Sequence, residues 1–116
     1  MDAVETARIQ ATLDRFGKRF LDRVYTENEQ RYSRDRAEEL AVRFAGKEAI
    51  SKALGTGMRG IKWRELEILN NKRGKPFVRL HGAAHARAEQ LGLTTFEISL
   101  THSRDLAIAF VVATTD

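Results

Sequence analysis

The chain has 116 residues, 42% hydrophobic and 31% charged, with one proline and no cysteine. That suits one compact domain and excludes disulfides, thiolate metal sites and a disordered chain. A net charge of +4 and a pI near 9.8 favour an acidic partner, whether nucleic acid, a phosphorylated ligand or an acidic protein.

Residues 3–16 carry helical spacing, with Ile9, Leu13 and Phe16 on one side and Gly17 as the expected stop. A second short helical piece is predicted over Phe20 to Arg31. Asp35 followed by Glu38 resembles a capping box. Ala37, Leu40, Ala41, Phe44 and Ala45 then form the apolar stripe of a longer helix, which should end near Leu54, before Gly55 and Gly57. The second half reads differently. Trp63–Leu69 and Pro76–His81 are predicted strands on either side of the turn Lys72-Arg73-Gly74-Lys75. Gly82–Leu91 is alanine-rich and helical, ending at Gly92. Phe96, Ile98 and Leu100 alternate with polar residues, as in a half-buried strand. Leu106 to Ala113 is apolar on both faces, which suggests a central strand. It is the longest apolar run, too short to cross a membrane, so the expected setting is cytoplasmic with no membrane partner. The link His102-Ser103-Arg104-Asp105 suits a hairpin. The fold class is α+β: one small domain over 1–116, with a mostly antiparallel sheet packed on a long helix.

Glu48 is the anomaly. It shares a side with Ala37, Ala41 and Phe44, in the stripe expected to face the core. An ionised carboxylate there is costly unless it meets a cation. One reading is an i, i+4 pair with Lys52, worth about 0.3 kcal/mol. The other is that Glu48 binds a hard metal ion and Lys52 the anion that the metal neutralises. Gly55-Thr56-Gly57 favours the second, because glycine lets backbone approach a phosphate closely. His102 continues the parity of Phe96, Ile98 and Leu100, so a histidine closing a buried strand is the simpler account of it. His81 and His85 read as surface or packing residues.

The run Arg43 to Gly57, RFAGKEAISKALGTG, resembles the central motif of holo-acyl-carrier-protein synthases, close to RFAAKEAxxKAxGTG. Asp2 to Ile9, DAVETARI, is similar to that family's DIVEIxRI. Arg19 to Glu29, RFLDRVYTENE, is similar to its RFLERVFTxxE. Ser99 to His102 resembles its SLSH, and Gly74-Lys75-Pro76 its GKP turn. The resemblance spans nearly the whole chain and implies a phosphopantetheinyl transferase-like fold. It implies transfer of the phosphopantetheine arm of coenzyme A to a serine of apo acyl carrier protein, releasing adenosine 3′,5′-bisphosphate.

Residue by residue, the resemblance makes Asp2 and Glu48 the Mg²⁺ ligands, and Asp2, Glu48 and Lys52 the catalytic group. Lys52 would meet the phosphates. Gly55, Thr56 and Gly57 would line the nucleotide, and His102 would contact coenzyme A. The base would be a water on the metal, polarised by Asp2 or Glu48. Arg8, Arg15 and Lys18 match the basic positions that bind the carrier's acidic helix, although exposed helix charges are usually only solvated. The family also implies a homotrimer with sites between subunits, in fatty acid biosynthesis, and no nucleic-acid partner. Family members begin with a short apolar strand that delivers the aspartate; here Met1 stands directly before Asp2, so that strand is expected to be absent. Two rival readings follow. Gly57-Met58-Arg59-Gly60 fits the GXXG loop of a KH-type RNA-binding module, against which the placement of Glu48 argues. The other rival is a catalytically impaired homologue.

Overall fold

The computed structural model describes residues 1–115. Its elements run in chain order β1 (Asp2–Glu5), α1 (Thr6–Phe16), α2 (Lys18–Val24), α3 (Glu27–Ser33), α4 (Ala37–Ala53), β2 (Leu66–Asn70), β3 (Pro76–Leu80), α5 (Gly82–Leu91), β4 (Thr95–His102) and β5 (Leu106–Thr114). A 3₁₀ turn over Trp63–Glu65 precedes β2. Strands β1, β5 and β4 form an antiparallel sheet with β5 in the middle, and β2 and β3 form a separate antiparallel pair. The expected central strand and hairpin are both present. Helix α4 packs against both sheets and against β1, α1 and α3.

Several boundaries differ from the sequence reading. Residues Asp2–Glu5 form a strand, not the start of a helix. Val4 turns into the core, and Asp2 stands opposite Ala109 of β5. Asp2 is therefore held within a ladder. The expected helix over Phe20–Arg31 is two helices. Tyr25 is extended, and Thr26 starts α3 with a capping box: Glu29 N donates to Thr26 Oγ1 at 3.2 Å, and Thr26 N to Glu29 Oε1 at 2.9 Å. Asp35 does not cap α4. It has φ 58°, and Arg36 occupies the cap without a side-chain bond. Trp63–Glu65 turns instead of extending, because Glu65 N bonds back to Lys62 O at 3.0 Å.

The core has two lobes that share α4. One joins Val4, Ile9, Leu21, Val24 and Tyr25 to Leu40, Ala41, Ala45 and Ala49 of α4 and to Ala107 and Ala109 of β5. The other joins Ile50 and Leu54 to Leu66, Ile68, Ala84, Ala88 and Ile98. Helix α4 is thus buried on nearly every side. Gly46 lies where β2 and β4 press in: a Cβ there would stand 2.5 Å from Ile68 Cδ1. The single core-facing stripe with Glu48 at its middle is corrected accordingly. Glu48 is only half-buried, whereas Arg43 and Lys47 on the same helix are buried. Arg43 pays for its burial with a contact to Glu39 at 3.4 Å, a hydrogen bond to Asn70 Oδ1 and a seat 4.4 Å from the centre of the Tyr32 ring. The region around Glu48 is where this helix opens to solvent.

Candidate active site

Strand β1 and the last two turns of α4 bring Asp2, Glu48 and Lys52 together. Lys52 Nζ donates to Asp2 Oδ1 at 2.7 Å. The Lys52 side chain is 64% exposed and that of Asp2 only 9%. The other Asp2 oxygen, Oδ2, is buried and accepts no hydrogen bond. Such an orphan is uncommon, because a buried acceptor left unmade costs about 1–3 kcal/mol. Glu48 has its pKa pushed up, first by burial and then by the negative charge of Asp2, while Lys52 and Arg8 pull it down. The hydrogen bond to Asp2 raises the pKa of Lys52. Two carboxylates that repel each other, one with a bare buried oxygen, form a site that favours an added cation.

The helix ends beside this pair. Gly55 and Gly57 both have positive φ, 78° and 55°. Their amides are already engaged, Gly55 N with Lys52 O at 3.0 Å and Gly57 N with Ser51 O at 3.1 Å. Thr56 Oγ1 donates to Gly57 O. The turn therefore offers a ligand an uncrowded backbone surface, with nothing within 4 Å of a Cβ at Gly57. Its amides serve mainly to close the helix.

The remaining expected residues are distributed over other surfaces. Arg8 is exposed on α1, within electrostatic reach of Glu48. Arg15 lies 5.1 Å from the Phe16 ring centre. Lys18 holds Asp22 at 2.6 Å and Gln30 at 3.1 Å. His102 does not meet the carboxylate pair. It sits at the end of β4 facing Glu38 and Glu39, at 3.8 and 3.9 Å, near the opposite end of α4. His85 is exposed beside Glu89 at 3.4 Å. His81 is engaged more closely than expected: its Nε2 lies 2.9 Å from the buried Glu67.

A model of the 4′-phosphopantetheinyl transferase superfamily matches residues 1–111. The holo-[acyl-carrier-protein] synthase of Herpetosiphon aurantiacus is 50% identical over 119 residues, covering 97% of this chain and 94% of the relative. The chain belongs to the holo-acyl-carrier-protein synthase family of phosphopantetheinyl transferases. The Gloeobacter violaceus synthase is 44% identical, covering 95% of this chain and 86% of its own. Among solved structures, the Helicobacter pylori synthase in complex with coenzyme A superposes with a TM-score of 0.89 at 29% identity, covering 97% and 96% of the two chains. A Bacillus anthracis synthase in complex with coenzyme A (3′,5′-ADP) does so with a TM-score of 0.78 at 33% identity, covering 97% and 90%. This family membership, with the observed α+β transferase fold, takes the place of the KH-type fold reading. The Gly57–Gly60 stretch is the turn after α4 of a synthase.

Two features near the site carried no sequence signal. A groove of about 400 Å³ opens between α1, α2 and α4, lined by Phe16, Phe20, Phe44 and Trp63 with Arg19 and Arg23 at its rim. Phe44 and Trp63 stack at 4.8 Å. The second is the buried ion pair of Lys47 with Glu29 at 2.8 Å. Alternation of the aromatic residues could have suggested the groove only if the break between α1 and α2 were known. The ion pair joins residues 18 positions apart, which no local periodicity reveals.

Proposed function

We propose that this chain transfers the phosphopantetheine arm of coenzyme A to a serine hydroxyl of apo acyl carrier protein, with Mg²⁺, releasing adenosine 3′,5′-bisphosphate. The observation that carries the reading is the convergence of Asp2, Glu48 and Lys52 around a buried Asp2 oxygen that lacks a partner. This donor set fits Mg²⁺, which takes oxygen ligands and is commonly held by one or two carboxylates plus substrate phosphates. Among the described residues no cluster of three or more acidic or histidine side chains could hold a metal alone, so the substrate's pyrophosphate would complete the set. Bound there, the ion would neutralise phosphate charge and align the pyrophosphate.

The chain's own groups supply the rest. Asp2 and Glu48 would hold the ion from strand and helix. Lys52 meets the pyrophosphate as a point charge. The serine oxygen bonds to the phosphorus that carries pantetheine, and the bond from that phosphorus to the bridging oxygen breaks. The electron pair leaves on adenosine 3′,5′-bisphosphate. The serine proton departs to a water beside the carboxylate pair of Asp2 and Glu48. Gly55, Thr56 and Gly57 give the nucleotide an unobstructed wall.

Arg8 and Arg15 on α1 are positioned to steer an acidic carrier protein, with the apolar groove beside them to seat it. Lys18 is the weaker member of that face because Asp22 already holds it. We assign a homotrimer, supported by the outward face of β5, where Leu106, Phe110 and Val112 are exposed. A neighbour's His102 could then reach the coenzyme A that its own chain's His102 does not face. Light scattering at micromolar concentration should give three times the chain mass; a monomer would refute the assembly. The function is tested by mass spectrometry of apo carrier protein incubated with this protein, coenzyme A and Mg²⁺. Gain of the phosphopantetheine mass is expected. No gain would leave a catalytically impaired homologue.

A further inference from the structure

Lys47 does more than balance Glu29. Its ammonium donates to Trp63 O at 3.0 Å and to Leu66 O at 2.7 Å, so it ties the start and the end of the 3₁₀ turn to α4. Without it, Trp63 O keeps one partner, the N–H of Leu66. Three residues earlier on α4, Phe44 stacks on the Trp63 indole, with ring centres 4.8 Å and planes 23° apart. Residues three apart share one side of a helix. Helix α4 therefore grips Trp63 twice, by the carbonyl from within the core and by the ring nearer the surface. Glu65 closes the same turn, accepting from Lys62 N at 2.8 Å and from Ala83 N at 3.0 Å. The indole itself is only partly buried. It lines the groove between α1, α2 and α4, and also a second hollow with Met58, Ile61, Lys62 and Arg64; Arg23 borders both. Among the described residues, Arg19 and Arg23 at the rim form no ion pair, which leaves their charge for an acidic partner.

We propose that Lys47 is a positioning residue for carrier-protein binding: by holding the Trp63 carbonyl it fixes the indole as a preformed wall of the groove. This rests on the reading of that groove as the seat of the carrier. Lys47 is wholly buried, so it acts only through Trp63. A wall already in place binds better than one that must be ordered on contact, because the entropy is lost during folding and not again on association. The simpler account is that Lys47 serves the fold alone, by neutralising Glu29. On that account carrier affinity returns as soon as stability does.

The double variant Lys47→Met with Glu29→Gln separates the two, since it removes both charges and also the donor to Trp63 O. Trp63 is the only tryptophan of the chain, so its emission reports the wall directly. In the folded double variant, acrylamide should quench that emission more strongly than in wild type. Calorimetry should find apo carrier protein bound about tenfold more weakly, with coenzyme A affinity unchanged. Lys47→Arg, which keeps a cation beside Glu29 but moves the donor off Trp63 O, is the second variant and should shift both readouts the same way. Trp63→Ala should weaken carrier binding to a similar degree. Adding it to the double variant should cost little more, because the two changes remove one feature. Unchanged quenching, carrier affinity restored along with stability, or losses that multiply would each overturn the proposal. If Trp63→Ala binds carrier as wild type does, the groove is not the carrier's seat and that reading fails too. If Trp63→Ala is impaired and the Lys47 variants are not, only the role of Lys47 has failed.

Discussion

Helix α4 carries two lysine–carboxylate pairs little more than a turn apart, and they are opposites. Lys47 is wholly buried. Its three ammonium protons go to Glu29 Oε1 at 2.8 Å, Trp63 O at 3.0 Å and Leu66 O at 2.7 Å. Glu29 in turn accepts from Thr26 N and Ile68 N. Burial lowers the pKa of Lys47, and Glu29 opposes that fall. Lys52, in contrast, is largely exposed, and its partner Asp2 keeps one buried oxygen bare. The first pair is closed and has nothing left to offer a ligand. The second is open, and its Asp2 repels the neighbouring Glu48 while Lys52 attracts it. Completeness of hydrogen bonding, more than charge or burial, separates the structural pair from the one proposed to act on substrate.

The closed pair is the more costly to break. Lys47→Met should destabilise the fold by about 3–5 kcal/mol, because Glu29 would remain charged and buried without its cation. Adding Glu29→Gln should restore a large part of that loss. Urea unfolding measures both, and a single-variant loss under about 1 kcal/mol would make the two pairs equivalent.

The open pair should respond in the other direction. Glu48→Gln should lower transfer by roughly 10²–10³-fold while making the apo protein slightly more stable. The fold raises the pKa of Glu48 above its ordinary value of 4.5, so it holds the proton better than the unfolded chain does. The ionised form therefore costs stability at neutral pH, and the cost is relieved as pH falls through the folded value. Because Glu48 is largely solvent-screened, the gain in thermal midpoint should be about 1–3 °C. Mg²⁺ added together with coenzyme A should raise the midpoint of wild type more than that of the variant. A midpoint that falls, with transfer intact, would make Glu48 a structural residue like Lys47.

Charges farther out should matter less. Arg8→Glu with Arg15→Glu should raise the KM for carrier protein about tenfold and flatten its salt dependence, with little change in coenzyme A affinity. Steady-state kinetics at two salt concentrations check this. Equal losses for both substrates would move this face into the nucleotide site.

The smallest effect concerns Glu67, which borders the closed pair. Burial raises its pKa, but hydrogen bonds from Thr26, His81 and Asn28 prevail and leave it below the ordinary value. Its stabilisation is present above the ordinary value of 4.5 and lost as pH falls through the lower folded value. Thr26→Val should cost about 1 kcal/mol at neutral pH and less in acid. A cost that does not change with pH would assign it to the helix cap alone.

Local pattern made α5, β3, β4, β5 and the far end of α4 legible, because each has one dominant period and a glycine or hairpin at its boundary. Strand β1 was not, since four residues reading Asp-Ala-Val-Glu gain their extended form only by pairing with β5. The cap at Thr26 was legible in principle, as a threonine three residues before Glu29, but the charge-rich run around it reads as one helix. The orientation of α4 was hidden for a different reason. Its apolar stripe exists, yet Lys47 and Arg43 are more buried than Glu48, because partners 18 and 27 positions away neutralise or bond them. The candidate site residues Asp2, Glu48 and Lys52 were named through motif resemblance. What joined them, the register of β1 on β5 beside α4, required the fold.

Because α4 supplies the wall of both lobes of the core, neither lobe can melt while the other keeps its packing. Native-state hydrogen exchange should accordingly find one cooperative unit here, with the central amides of α4 released only by global opening and those near Met1 and the Gly74 turn by fraying. A chain cut after the helix would lose the floor of both lobes, so this molecule should not be divisible into halves that fold and later reassemble.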